Sequence, residues 1–193
     1  MRRSEELKLI KRAAGGDRAA AEYFVRAYQH GLHAYLYRMC GDAQTSEDIV
    51  QDAFVRVLTN LDRFDPRFRF STWLFTIAKR LYFNAAQKMK PAFSTDAVDA
   101  AQGADAGSGG AMSGDSGEHV RDDLQRGLMT LTPEQREVLV LFHQQDWPIW
   151  LIAQHLGMPE GTIKSHLHRG RRRLREVMLE SDETVRHVGE ILS

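Results

Sequence analysis

The chain predicts an all-α fold: two small helical domains joined by a flexible acidic linker, the second built around a helix-turn-helix. Three observations carry that expectation. Large apolar residues recur every three or four positions in each ordered stretch, which puts them on one side of a helix, and nowhere alternate as along a half-buried strand. Capping and helix-stopping residues fall between those stretches. Residues 91–118 are mainly Ala, Gly, Ser and Asp, with too little apolar surface to offset the entropy of ordering. The expected division is a domain over 1–90, a linker over 91–119, a domain over 120–180 and a tail over 181–193.

The first helix is expected over 5–14, with Leu7 and Ile10 inward. Gly15 and Gly16 stop it, and Asp17 stands where a side-chain oxygen caps the next helix. From Arg18 to about Met39, Phe24, Ala27, Gly31 and Tyr35 share one side. Cys40-Gly41-Asp42 breaks that pattern. Thr45 is the expected cap of a third helix over 46–61, with Glu47 and Asp48 in its first turn, where the helix dipole favours anions. Ile49, Ala53, Phe54, Val57 and Leu58 form its buried stripe, and Asp48, Gln51, Asp52 and Arg56 face away. By spacing alone that polar side is an ordinary solvated face.

The loop over 62–71, DRFDPRFRFS, is dense in rings and cations, and Asp65-Pro66 marks a turn. A fourth helix, over 72–89, buries Trp73, Leu74, Ile77, Ala78 and Leu81 and carries Lys79, Arg80, Tyr82, Asn84, Gln87 and Lys88. Rings interleaved with cations suit unpaired nucleic acid, because bases stack on the rings while cations hold phosphates. Trp73 and some phenylalanines belong to the core, but those of so short a loop cannot all be buried.

Beyond the linker, Leu124, Leu128 and Leu131 mark a short helix. Thr132-Pro133-Glu134-Gln135 has the form of a capping box with proline in the first turn. It opens a helix with Val138, Leu139, Leu141 and Phe142 on its core face. Ile149, Ile152, Ala153 and Leu156 follow at helical spacing, Gly157 supplies the left-handed residue that closes the helix, and Pro159 can open the next. In that last helix Ile163, Leu167, Gly170 and Leu174 share one side, while Lys164, Ser165, His168, Arg169, Arg171, Arg172 and Arg175 lie elsewhere on the wheel. An apolar face docked on the preceding helix, opposite an arc of donors and cations, is the layout that enters a DNA major groove. The tail places Val185, Val188 and Ile191 at helical spacing.

Lys and Arg number 26, as do Asp and Glu, so the formal net charge is zero. The distribution is uneven: 91–120 holds five carboxylates and neither Lys nor Arg, whereas six cations lie between Lys164 and Arg175. Phosphate attraction follows the local patch, so overall neutrality permits DNA binding while predicting weak non-specific binding by the free chain. No apolar run is long enough to span a bilayer and no signal-peptide core opens the chain, so a cytoplasmic location without membrane insertion is expected. The single cysteine, Cys40, leaves no disulfide within the chain and no cysteine-rich zinc site, and its apolar setting predicts a buried thiol. His166 and His168, two apart on a helix, point about 200° apart and cannot share an ion. No metal, cofactor or catalytic site is expected.

Four stretches in this order, SEDIVQDAFVRVL, FSTWLFTIAKR, LTPEQREVLVL and PEGTIKSHLHRGRRRLR, resemble the extracytoplasmic-function sigma factors, the two-domain alternative sigma subunits of bacterial RNA polymerase. The resemblance spans nearly the whole chain apart from the linker and tail. It implies a sigma factor that binds core RNA polymerase, recognises −35 and −10 promoter elements and helps open the DNA. Asp48, Gln51 and Asp52 match the region that grips the clamp helices of the largest polymerase subunit, which replaces the solvated-face reading of those residues. The loop and the helix after it match the part that captures the melted −10 strand, which implicates Arg63, Phe64, Arg67, Phe68, Arg69, Phe70, Ser71, Thr72, Lys79 and Arg80. The −35 element falls to Thr162, Lys164, Ser165, His166, His168, Arg169, Arg171 and Arg172. In the family the linker threads toward the active-site cleft and RNA exit path.

The chain departs from the family pattern at Lys79-Arg80 (commonly Arg-Asn), Asn84 (commonly Asp), His166 (commonly Arg) and Pro148-Ile149-Trp150-Leu151 (commonly Ser-Tyr-Glu-Glu). A promoter sequence is therefore not transferable from relatives. Trp150 is expected to be an exposed ring that meets a partner, such as the flap of the second polymerase subunit or an anti-sigma protein. Three rivals fit less of the chain. A stand-alone helix-turn-helix repressor or activator leaves the loop unexplained, a nuclease lacks a carboxylate or histidine cluster, and a protein adaptor leaves the cationic helix idle.

Overall fold

The computed structural model describes residues 2–89 and 116–191, with backbone alone for 88–89, 116–120 and 180–191. Most of the expected linker lies outside the described residues. Among those described there are eight helices and no strand, so the all-α expectation holds. The helices are α1 (Arg3–Ala14), α2 (Arg18–Cys40), α3 (Ala43–Thr59), α4 (Phe70–Met89), α5 (Ser116–Met129), α6 (Pro133–His143), α7 (Ile149–Leu156) and α8 (Glu160–Ile191), with a short 3-10 turn at Leu61–Arg63 between α3 and α4.

Local chemistry sets most boundaries. Asp17 caps α2 by accepting the Ala20 N–H at 3.1 Å, and Thr132 caps α6 by accepting the Gln135 N–H at 3.3 Å, each satisfying a donor the helix leaves free. Gly157, at φ 66°, takes the left-handed conformation that ends α7 and turns the chain into α8. Other boundaries move. The cap of α3 is Asp42, whose carboxylate accepts the Thr45 N–H at 2.7 Å, so the helix starts at Ala43 and Thr45 lies inside it. Helix α4 starts at Phe70 rather than at Thr72. Helix α5 opens at Ser116, inside the expected linker, and α8 runs on for 32 residues, so most of the expected tail continues the same helix.

Helix α3 packs between α2 and α4, α1 lies on α2 and on the 3-10 turn, and α8 gathers α5, α6 and α7. Helix α2 also packs on α5 and α6, so the core is continuous from Ile10, Phe24, Leu36 and Phe75 through to Leu141, Ile152 and Ile163. The apolar face of α8 is the expected one: Ile163, Leu167 and Gly170 are buried. A methyl group on Gly170 would lie 2.9 Å from Leu139 Cδ1, so the missing side chain is what lets α8 sit close to α6.

The helix junctions are tied by polar groups. Arg136 is buried, and its guanidinium donates to the carbonyls of Met39 (2.6 Å), Leu128 (2.9 Å), Met129 (3.1 Å) and Leu131 (3.3 Å). Those are carbonyls at or just past the ends of α2 and α5, which a cation satisfies electrostatically as well as by hydrogen bonding. Gln145 donates to the Gly31 carbonyl at 3.0 Å, and Arg38 donates to the Gln125 side chain at 3.0 Å.

Candidate polymerase and nucleic-acid interfaces

Asp48, Gln51 and Asp52 are all exposed on α3, beside Val55, an apolar side chain left 61% exposed. Asp48 and Asp52 line a groove of about 620 Å³ between α3 and α4, with Arg56 on the same helix and Asn84 and Gln87 across from them. Gln51 points instead to a neighbouring hollow with His30, His33 and Glu47. The stripe behind them, Ile49, Ala53, Phe54 and Val57, is buried. This surface is an acidic ridge on a firmly seated helix.

The loop before α4 sorts its aromatics. Phe70 is fully buried, its ring stacked on Phe24 at 4.1 Å. Phe64 is buried edge-on against Trp73 at 5.4 Å, and Thr72 is buried as well. These three members of the expected strand-contact set are therefore part of the core, because α1, α2 and α4 close over the loop's two ends. Phe68 is the ring left outside, 36% exposed, with the Arg67 guanidinium 6.0 Å from its centroid. Asp65 shapes this tip: its carboxylate accepts the Arg67 N–H at 2.9 Å and the Arg67 guanidinium, bonds that hold it below the usual carboxylate range. Arg63, Arg67, Arg69 and Arg80 are exposed and Ser71 is half-buried.

Lys79 is placed differently from the expectation of an open DNA face. Its ammonium lies 2.8 Å from the buried carboxylate of Glu137 on α6. The other Glu137 oxygen accepts the Tyr35 hydroxyl at 3.0 Å and lies 3.3 Å from His155 Nε2. Thr76 Oγ1, one turn before Lys79 on α4, lies 3.1 Å from His155 Nδ1. Burial pushes the Glu137 carboxyl up, but the neighbouring His155 imidazole and Lys79 ammonium outweigh it, and the group ends below its ordinary value. Tyr35, enclosed beside that carboxylate, is pushed well above its ordinary value by burial and by the Glu137 charge. Side chains of α6 and α7 thus meet α4 at Thr76 and Lys79.

On α8 the outer arc is open. Lys164, Ser165, His168, Arg169, Arg171 and Arg172 are exposed. Arg169 folds back only on the Ser165 carbonyl at 3.4 Å, and Arg172 lies 3.7 Å from Glu176. Thr162 and His166 are half-buried, and His166 Nδ1 is enclosed without a hydrogen-bond partner. Arg171 is turned toward α6, donating to His143 Nε2 at 3.0 Å with its guanidinium 5.3 Å from the Phe142 ring centroid. Burial and that guanidinium lower the His143 pKa. Of the cations expected at the −35 element, the least engaged are therefore Lys164 and Arg169. Trp150 is 56% exposed, as expected.

Glu137, Arg136 and His155 carry much of this geometry and went unmarked in the sequence, because each is defined by partners far away in the chain. A charged pair, Arg136-Glu137, directly before the apolar run VLVL was the one local signal available.

An exposed cationic helix-turn-helix, a loop that presents a ring beside a cation, and an acidic ridge together define an all-helical transcription factor of the DNA-binding kind. Comparison with known proteins agrees. Residues 24–90 match the family model Sigma-70 region 2, and residues 121–174 match Sigma-70, region 4. The chain is 34% identical over 176 residues to the ECF RNA polymerase sigma factor SigW of Bacillus subtilis, covering 88% of this chain and 94% of that protein. It is 30% identical over 172 residues to the ECF RNA polymerase sigma-E factor of Escherichia coli K12, covering 84% and 88%. Its fold matches CnrH, solved with the cytosolic domain of CnrY, at a TM-score of 0.67 and 23% identity over 92% of this chain and 98% of that one. It also matches the Bartonella quintana sigma factor RpoE, solved with the anti-sigma factor NepR, at a TM-score of 0.61 and 24% identity over 81% and 95%. The chain belongs to the extracytoplasmic-function family of RNA polymerase sigma factors.

Proposed function

We propose that residues 1–90 and 120–180 work as two domains of a promoter-specificity subunit that has no catalytic chemistry of its own. The first docks on core RNA polymerase through Asp48, Gln51 and Asp52, against the clamp helices of the largest subunit. Its loop captures the unpaired −10 strand through Arg67, Phe68 and Arg69, with Arg63, Ser71 and Arg80 alongside. The second lays α8 in the −35 major groove, where Lys164, Ser165, His168 and Arg169 reach base edges or phosphates and the phosphate contacts fix register. Arg172 belongs to the backbone-contacting edge of that arc, and Arg171 joins it only by leaving His143. Lys79 contributes at the −10 strand once its pair with Glu137 is broken. Phe64, Phe70 and Thr72 serve this reading from below, as the floor on which the loop rests, and Thr162 and His166 do the same at the start of α8.

The observation that best supports this is the arc of Lys164, Ser165, His168 and Arg169, exposed on a helix whose opposite face, Ile163, Leu167 and Gly170, is sealed. We also infer a cytoplasmic site of action, contact with the flap of the second polymerase subunit, and restraint by an anti-sigma protein, the partner class named for the Bartonella relative. Purified core polymerase, this protein and promoter DNA test the whole reading. A new transcript start that depends on the protein is the expected result. Tight binding of DNA by a symmetric dimer without polymerase would favour a stand-alone repressor.

A further inference from the structure

Helix α1 lies before the first residue matched to a sigma-factor region, and none of the roles above uses it. It nevertheless carries a buried carboxylate, Glu6, only 2% exposed. A carboxylate taken out of water costs several kcal/mol unless charges and hydrogen bonds replace the water. Those replacements come from one place, the loop that presents Phe68, together with α1 itself. Glu6 Oε2 lies 2.7 Å from Arg3 and 3.3 Å from Arg69, and Oε1 accepts the Phe70 N–H at 3.1 Å. Phe70 is the first residue of α4. Its N–H is one of the donors a helix start leaves free, and a negative charge there is favoured by the helix dipole.

Arg3 extends the same grip. One of its nitrogens binds Glu6, and another donates to the Pro66 carbonyl. Helix α1 therefore holds the loop at Pro66, on its way in, and at Arg69 and Phe70, on its way out. Between these points the chain makes the tip already described, closed by the Phe68 N–H donating to the Asp65 carbonyl at 3.1 Å. The tip residues Arg67 and Phe68 are left outside the grip. Two guanidiniums share one carboxylate, so Arg69, with its side chain 44% exposed, is steered by Glu6 without being neutralised by it.

We propose that Glu6, with Arg3, is the positioning residue of the strand-capturing loop: a buried carboxylate that fixes where Arg67, Phe68 and Arg69 stand before any DNA arrives. A loop held in its binding shape loses less entropy on capturing a strand, and binding groups are effective only when their supports lock them in place. The inference rests on the reading of the loop as the −10 strand contact.

The test uses full-length protein assembled with core polymerase and three measurements: affinity for core polymerase, affinity for a duplex carrying only the −35 element, and affinity for a promoter fork with the −10 strand unpaired. The variants are Glu6→Gln, Arg3→Met, and at the tip Arg67→Ala and Phe68→Ala. Glu6→Gln and Arg3→Met should each weaken fork capture about tenfold, while core and −35 affinities stay within about twofold. A purely structural role moves all three affinities together, and unchanged fork capture means Glu6 does not set the loop; either result overturns the proposal. If Glu6→Gln fails to fold, Arg3→Met carries the test, because it opens the entry side of the grip while Arg69 still pairs Glu6. Loss of fork capture in the tip variants alone would sink the role of Glu6 and keep the loop's role. Intact capture in the tip variants would sink both.

Discussion

The outer arc of α8 and the loop with α4 carry similar charge but hold it in opposite ways. On α8, Lys164 and Arg169 face solvent with no carboxylate partner among the described residues, and the helix beneath them is sealed to α6 and α7. At the loop and α4, three of the five cations expected to meet DNA are already engaged: Arg67 by Asp65, Arg69 by Glu6, Lys79 by Glu137. A groove in duplex DNA is a fixed shape that an open, rigid arc can meet directly. An unpaired strand has no fixed shape, so the protein supplies one, and the ion pairs that do so compete with phosphate for the same cations. On the function proposed above, the first surface is ready as it stands, and the second would exchange partners on binding.

Removing the joint between the two helical groups is the most drastic way to break that contrast. Arg136→Ala removes a charged donor from four carbonyls, three of those bonds in buried surroundings, and should cost about 3 kcal/mol or more of unfolding free energy. Urea denaturation checks this; a loss below about 1 kcal/mol would mean the groups are held by apolar contact alone.

Acid should loosen the contact between α4 and α6. The Glu137 carboxyl is held below its ordinary 4.5, so the folded state binds its proton less readily than the unfolded state. Its contribution is complete above that ordinary value and disappears as the pH falls through the lower folded value. Unfolding midpoints followed from about pH 6 to about pH 3 should fall less steeply in Glu137→Gln than in the parent protein. Parallel curves would assign the acid sensitivity to other carboxylates.

The open arc is sharpened by Arg169→Ala. If Arg169 pairs with a guanine edge, the change costs ~1–3 kcal/mol of discrimination at one base position of the −35 element. Equal weakening on every duplex would make it a phosphate contact. The smallest effect on stability is expected at Trp150. Trp150→Glu should shift unfolding free energy by no more than about 0.5 kcal/mol while weakening a protein partner, and a large loss of stability would show the ring to be structural.

The sequence was most informative where structure is decided within a few residues. Asp17, Thr132 and Gly157 mark their helix ends by chemistry that needs only the next turn, and the period of Ile163, Leu167 and Gly170 names the buried side of α8 directly. It was silent where a partner lies far along the chain. The start of α4 at Phe70 depends on a carboxylate 64 residues earlier, and Lys79 looks like a free cation until α6 brings Glu137 to it. The aromatic loop shows both limits. Its composition correctly implied that some ring must stay outside, but only packing on Phe24 and Trp73 decides that the outside ring is Phe68.

Arg136 and Glu137, adjacent in the chain, both tie α6 to α2, but by different chemistry. A guanidinium stays charged under any condition in which the protein is folded, so the fastening at Met39 works as a rivet. The carboxylate one residue on can take up a proton or lose its ammonium to a stronger anion, and so behaves as a latch.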